Sequence, residues 1–321
     1  MRQKFFNWTY IYENGRYDII PDRNIDRPKT FYKYYALKDT SVDALTHTYI
    51  YATHPRQLND LFDCNPNILD FDNVKAVRDA LNCSRFAQMS DEEIFTDDYR
   101  TLAQMTFTTL IYKNLGIFSM AKKPDNPLMW AYYTNNCGFC VEYDLSQFGF
   151  KHHGPFPINY CDVSEPIRMS QIRDAHLAML AQTNIKQPYW KHEDEWRLLV
   201  ESPDDVNLTC YGIKDYELFG GYDRKFSIPV GSIKRVVLGM SFFDFTERKS
   251  SLNDLAKTNK CMFQLKETSN KKLKKQILDF LSMHKIRVDY TFVMNTNTIS
   301  SISMIINRKN ENQYEGTYCD K

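Results

Sequence analysis

Apolar and polar positions alternate most clearly late in the chain. The run WKHEDEWRLLV, from Trp190 to Val200, places Glu193, Glu195 and Arg197 at every second position. Apolar Trp196, Leu198 and Val200 stand between and beyond them. Period two predicts a strand with one buried face. Both carboxylates and the guanidinium then project from the opposite face. Two acids and a base held in register on a rigid element suit an active site, and they equally suit a solvated sheet face.

The same reading, run along the chain, predicts the remaining elements. NWTYIY and RYDII flank Asn14-Gly15, a dipeptide suited to a tight hairpin turn, so residues 1–30 form a β-ribbon. FYKYYAL, YIYAT, GIFSMA, FCVEYDL, FPINYC, KFSIPV and IKRVVLGM are predicted strands. Asp39-Thr40 is placed to cap a short helix. Residues 73–115 have helical periodicity, with a capping box at Ser90 and Glu93. Asn126-Pro127 opens a short helix, NPLMWAYY. Ser164 to about Gln187 is expected to be a longer amphipathic helix. SSLNDLAKTN and KKLKKQILDFLSMHK are helical, and VDYTFVMNTNTISSISMII is strand-like. The expected fold class is α+β, a single mixed-sheet core with inserted helices. The expected divisions are a ribbon over 1–30, a core over 31–245 and a C-terminal helix and strand extension over 246–321.

Composition narrows the classes. Of 321 residues, 43% are hydrophobic and 14% aromatic, enough for a sizeable core and against global disorder. The net charge of +1 gives no support to a strongly electrostatic partner. The N-terminal segment lacks the apolar stretch of a signal peptide, and no run approaches the roughly 20 apolar residues of a membrane span. The expectation is a soluble, cytoplasmic protein that makes no membrane contact. Eight dispersed cysteines fit reduced, buried thiols.

Several constellations carry candidate chemistry. Cys137 and Cys140 have redox or zinc spacing but follow a helix into a strand, without further ligands, so they are expected to be core thiols and no metal is expected. There is no phosphate loop and no nucleophile elbow. Lys271, Lys272, Lys274 and Lys275 form a basic cluster on an amphipathic helix, a solvated face or a contact for nucleic acid. The loop RQLNDLFD gathers Asn59, Asp60 and Asp63 between a strand and a helical region, where polar side chains either stabilise turns or carry chemistry. Met129, Trp130 and Tyr133 present an aromatic surface, either core packing or a stacking platform for a flat ring.

Taken in order, FYKYY, YATHPRQLNDLFD, NPLMWAYYTNNCGFCVEYD, WKHEDEWRLLV and IPVGSIKRVVLGM resemble a bacterial family named only as domain of unknown function 2971. Leu58 and Leu61 depart from that family, which usually has Phe and Pro at these positions. The aromatic strand, polar loop, aromatic helix and Glu-x-Glu strand are also similar in order to ADP-ribosyltransferases. The first-strand Arg or His of those enzymes and their Ser-Thr-Ser strand are absent here. That resemblance implies NAD as co-substrate, with Glu195 stabilising an oxocarbenium-like transition state and Glu193 guiding the acceptor. It also implies Tyr34 or Tyr32 on the first strand, Trp130 or Tyr133 against nicotinamide, and Asn59 and Asp60 in the lining. Arg197 would hold the Glu195 carboxylate ionised or bind the pyrophosphate.

The leading expectation is therefore an NAD-consuming enzyme, in phage defence or a toxin system, acting on an unknown protein or nucleic-acid acceptor. One alternative is a Mg²⁺-dependent nuclease using Asp60, Asp63, Glu193 and Glu195. The other is a non-catalytic sensor or interaction module.

Overall fold

A computed structural model describes residues 1–6, 8–22, 25–81, 88–94, 98–172, 174–201, 224–250, 257–295 and 298–319. The fold class is α+β. The chain divides into two compact units. The first comprises Met1–Arg27, Tyr51–Ser119 and Phe150–Lys225, and the second Pro28–Ile50, Met120–Gly149 and Phe226–Lys321.

The first unit begins with the ribbon. Strands Arg2–Phe5, Trp8–Glu13 and Arg16–Pro21 pair antiparallel. Asn14 and Gly15 turn the hairpin at φ 54° and 72°, a left-handed pair that glycine tolerates and most residues do not. The ribbon is anchored through Tyr10, fully buried, whose hydroxyl donates to Asn184 Oδ1 at 3.1 Å and accepts from Asn159 Nδ2. Helices Val74–Ala80, Asp91–Ile94 and Tyr99–Asn114 follow in the expected helical region. Ser90 and Glu93 form the expected capping box, each side chain accepting from the other's backbone N–H. Phe71, Val77, Ile94, Phe107 and Ile111 fill the core between these helices.

The helix expected from Ser164 to Gln187 is shorter, Ala175–Asn184. Pro166 disfavours helix upstream, and the Asp174 side chain accepts from His176 N–H at 2.8 Å, fixing the start. Nor is the helix amphipathic: its last four residues, Ala181, Gln182, Thr183 and Asn184, are all buried, as are Leu177, Ala178 and Leu180.

The strand in WKHEDEWRLLV is Glu195–Glu201, and every residue from Glu195 to Val200 is buried. The alternation is real, but both faces are covered. Glu193 is not on the strand. It ends a 3₁₀ turn, Pro188–Glu193, and Asp194 at φ 44° breaks the extended backbone between the two glutamates. The strand pairs antiparallel with His152–Pro157, Arg197 opposite Phe156, with a register shift beside it. Gly154, at φ 98°, packs here, and a Cβ on it would come within 2.8 Å of the Arg197 carbonyl oxygen.

The second unit is built on a mixed sheet. Its order is Lys260–Gln264, Gln313–Tyr318, Thr298–Arg308, Arg287–Asn295, Ile233–Leu238, Phe139–Tyr143 and Phe31–Tyr35. Ile233–Leu238 runs parallel to Arg287–Asn295, and the other pairs in this series are antiparallel. A cross-strand ladder ties four of these strands: Arg235 binds Glu142, Asp289 and the Tyr32 hydroxyl, the last at 2.8 Å. Helix Asp39–Thr46 starts without a side-chain cap: Lys38 takes the cap position and Asp39 lies in the first turn, so the capping expected of Asp39 is not made.

Helix Lys271–His284 buries Leu273, Ile277, Phe280 and Leu281, as its amphipathic pattern predicts. It also buries Lys274, whose ammonium donates to Glu247 Oε2 at 2.7 Å. Lys271 pairs with Glu267 and Lys275 with Asp279. Lys271 and Lys275 are thus matched by local carboxylates, and Lys274 is turned into the protein to pair with Glu247. The region 251–256, within the predicted SSLNDLAKTN helix, lies outside the described residues. No helix among the described residues is long and apolar enough to cross a membrane.

Candidate functional site: a buried ion cluster beside a pocket

In the first unit the RQLNDLFD loop and the Glu195–Glu201 strand meet at one side chain. Arg197 is fully enclosed. Its Nε donates to Glu195 Oε1 at 2.8 Å, and Nη2 to Glu195 Oε2 at 3.3 Å. Nη1 donates to Asp63 Oδ1 at 2.8 Å and to the Thr183 carbonyl at 2.7 Å, while Nη2 also binds Asp63 Oδ2. All five guanidinium N–H groups therefore have an acceptor. Asp63 is held bidentately, the geometry for which arginine is chosen over lysine.

Lys186 completes the cluster. Its ammonium donates to Glu193 Oε2 at 2.6 Å and Glu195 Oε2 at 3.1 Å, and lies 3.8 Å from Asp63 Oδ2. It also sits 4.7 Å from the centre of the Trp190 ring. Lys186 is positioned by a short parallel bridge, Asn159–Tyr160 with Ile185–Lys186. The Tyr160 hydroxyl accepts from the Glu195 backbone N–H at 2.9 Å. Three carboxylates face two cations, so the ionised cluster carries one excess negative charge.

Burial alone would raise the Glu195 carboxyl. The Arg197 and Lys186 charges and the Arg197 hydrogen bond outweigh it and hold Glu195 well below the usual carboxylate range. Burial likewise opposes charge on Arg197, but Asp63 and Glu195 raise its pKa further. Burial opposes charge on Lys186 too, and Glu195 leads the charges that leave it raised. Cys64, packed beside the cluster, is pushed up by burial and stays a thiol.

Asp63 borders a pocket of about 510 Å³. The loop from Pro55 to Pro66 forms one wall, and Gln104, Met105, Thr108, Thr109 and Tyr112 of the Tyr99–Asn114 helix form the other. Asp60 stabilises the loop locally, accepting the Phe62 N–H on Oδ1 at 3.0 Å and the Asp63 N–H on its carbonyl. Asp60 is 7% exposed and Thr108 8%. Among the described residues, Asp60 Oδ2 and Thr108 Oγ1 are buried with no hydrogen-bond partner. Leu61 stands 93% exposed at the loop tip.

The predicted site residues fall into two groups. Glu193, Glu195, Arg197, Asn59 and Asp60 belong to the first unit, and Tyr34, Trp130 and Tyr133 to the second. Asn59 is exposed on the same loop as Asp60. Trp130 is buried, its ring set edge-to-face on Tyr34 at 5.2 Å and its indole N–H donating to the Pro124 carbonyl at 2.7 Å. The Tyr34 hydroxyl donates to the Lys123 carbonyl at 2.9 Å. With Met129, Cys140 and Val237 they form core, and Tyr133 is partly buried against it. Cys140 is a buried thiol raised by burial, and Cys137 is free and only partly buried.

Lys186 is the member of the cluster missed by sequence reasoning. It lies in no motif. Its only local signal is a cation between apolar Ile185 and the Pro188 turn. Among the described residues no group of three or more His, Cys, Asp and Glu side chains is arranged to hold a metal ion. In the cluster the acids converge on the Lys186 ammonium instead.

An α+β protein with a saturated ion cluster and an adjoining, largely apolar pocket is the class this geometry defines. Residues 129–198 match the family described as protein of unknown function, DUF2971. The match runs from Met129 in the aromatic helix to Leu198 in the buried strand, part of the stretch over which the motifs resemble that family. No curated protein and no solved structure matches the chain.

Proposed function

We propose that the chain is a binding module whose ligand enters the pocket between the 55–66 loop and the Tyr99–Asn114 helix. The observation that carries this reading is the pocket itself, about 510 Å³ between the loop and the helix, lined by Leu58, Met105 and Tyr112 together with polar Asn65, Gln104 and Thr109. The ion cluster then serves as a rigid back wall that fixes Asp63 and hence the loop. Of the readings weighed from the sequence, this favours the sensor or interaction module. ADP-ribosyl transfer at Glu195 requires a carboxylate that reaches a ribose, and both Glu195 oxygens are committed to Arg197 and Lys186.

The test is a ligand-detected NMR screen of small polar fragments on the wild type and on Thr109→Trp, which fills the pocket from its partly exposed helical wall. Fragments that bind the wild type and lose binding in the variant are expected. Hits indifferent to the variant, or no hits, would reject the pocket. In parallel, the protein is incubated with labelled NAD and cell extract. Transferred label or released nicotinamide would replace the binding reading by the enzymatic one.

A further inference from the structure

The chemistry of the same pocket selects a ligand class, an inference that rests on the binding reading above. Most polar atoms of the lining are already engaged or sealed. Gln104 Nε2 donates to the Pro66 and Leu69 carbonyls, Thr109 Oγ1 donates to the Met105 carbonyl, and Asn65 Oδ1 accepts the Asn67 N–H. Asp60 Oδ1 accepts the Phe62 N–H, Asp60 Oδ2 and Thr108 Oγ1 are enclosed, and Asp63 is clamped by Arg197. The surface left for a ligand is apolar: Leu58 and Tyr112 are partly buried on the walls, and Met105 and Leu61 stand 62% and 93% exposed beside them. One charge stands at this surface. Arg56 is exposed, its guanidinium 6.0 Å from the centre of the Tyr112 ring. Among the described residues Arg56 makes a backbone bond to His54 Nδ1 and this ring contact, and its guanidinium meets no carboxylate. Burial raises the Tyr112 hydroxyl and the nearby Arg56 charge opposes it, so the hydroxyl stays a donor. A carboxylate head group thus finds two donors. An ammonium would find a like charge and carboxylates it cannot touch.

We propose that the pocket binds an amphiphilic organic anion, an alkyl carboxylate. Its head group accepts from the Arg56 guanidinium and the Tyr112 hydroxyl, and its chain lies along Leu58 and Met105. The chain covers apolar walls that a short anion would leave wet. No covalent step is involved.

The experiment uses the full chain and titrates hexanoate, 1-hexanol, hexylamine and butyrate calorimetrically at pH 7. Hexanoate is expected to bind about tenfold or more tightly than the alcohol and the amine. Butyrate, with two methylenes fewer to bury, should bind about tenfold more weakly than hexanoate. Arg56→Gln removes the charge at an exposed position and should erase the advantage of hexanoate over hexanol. Thr109→Trp fills the pocket from the helix side and should abolish hexanoate binding. Equal binding of hexanol, or preference for hexylamine, that is lost in Thr109→Trp overturns the carboxylate class and leaves the pocket standing. A preference for hexanoate that survives Arg56→Gln, or equal binding of butyrate, overturns the proposed pose and with it the class. Hexanoate binding that survives Thr109→Trp places the anion elsewhere and overturns the proposal as well. Absence of hexanoate binding overturns the carboxylate class, and the fragment screen then decides separately on the pocket.

Discussion

Arg197 has five N–H groups and five acceptors, and that saturation explains why its neighbourhood holds together. Removing one partner of a buried ion pair leaves the others desolvated and unmatched, at a cost of about 3–5 kcal/mol. Arg197→Met is therefore expected to lower the unfolding free energy by about that amount, or to prevent folding. Arg197→Lys should recover only part, because one ammonium cannot bridge Asp63 and Glu195 bidentately. Chemical denaturation of the purified variants checks this, and an unchanged midpoint in Arg197→Met would sink it. The pH dependence follows from Glu195. Its folded pKa is depressed, so its contribution is complete above the unfolded value near ~4.3 and is lost as pH falls toward the folded value. Glu195→Gln should flatten the loss of stability between about pH 4 and pH 2 by about 1.4 kcal/mol per pH unit, the linkage of one proton. Equal slopes in the two proteins would mean that Glu195 is not held ionised by the cluster.

Among the elements, local signals with a defined mechanism were the legible ones. Asn14-Gly15 gave its hairpin, Ser90 and Glu93 their capping box, and Asn126-Pro127 its helix, Pro127–Thr134. The Asn126 side chain accepts from Leu128 N–H at 3.0 Å and from Met129 N–H at 3.4 Å. Asn126→Ala should lower stability by about 1 kcal/mol, and Asn126→Asp should restore most of it. The shift in denaturation midpoint measures this, and equal loss in both variants would show that the cap is not the cause. The alternation of Glu195 and Arg197 was visible too, but not what covers their face. A charged face looks the same in sequence whether water or distant residues neutralise it. Here the neutralising groups are Asp63 and Lys186, one from a loop far upstream and one from a two-residue bridge. The Ala175–Asn184 helix was overextended for a related reason: its buried polar residues, Gln182 to Asn184, mimic a wet face.

For the chain as a whole, the segments that carry the predicted site come from two units, each assembled from three stretches of sequence. Such interleaving has no local signature, since each strand finds its neighbours through contacts distant in the chain. Within the second unit, Arg287–Asn295 lies directly beside Ile233–Leu238, and Thr298–Arg308 and Gln313–Tyr318 continue the same sheet. A chain ending at 245 would leave the Ile233–Leu238 edge bare and the apolar faces of those strands uncovered. It should therefore be insoluble or lose cooperative unfolding, whereas a removable extension would leave a soluble core with a sharp transition. Expression of residues 1–245, followed by circular dichroism on heating, distinguishes the two.

Asp63 is shared between two neighbourhoods: it lines the pocket and it is clamped by Arg197. Whatever occupies the pocket must then bias the strand behind it, because restraining the loop also restrains the clamp. The strand amides from Trp196 to Val200 become a remote gauge of occupancy. Their hydrogen exchange should slow when the pocket fills, and cutting the clamp at Asp63 should silence the gauge even where the ligand still binds.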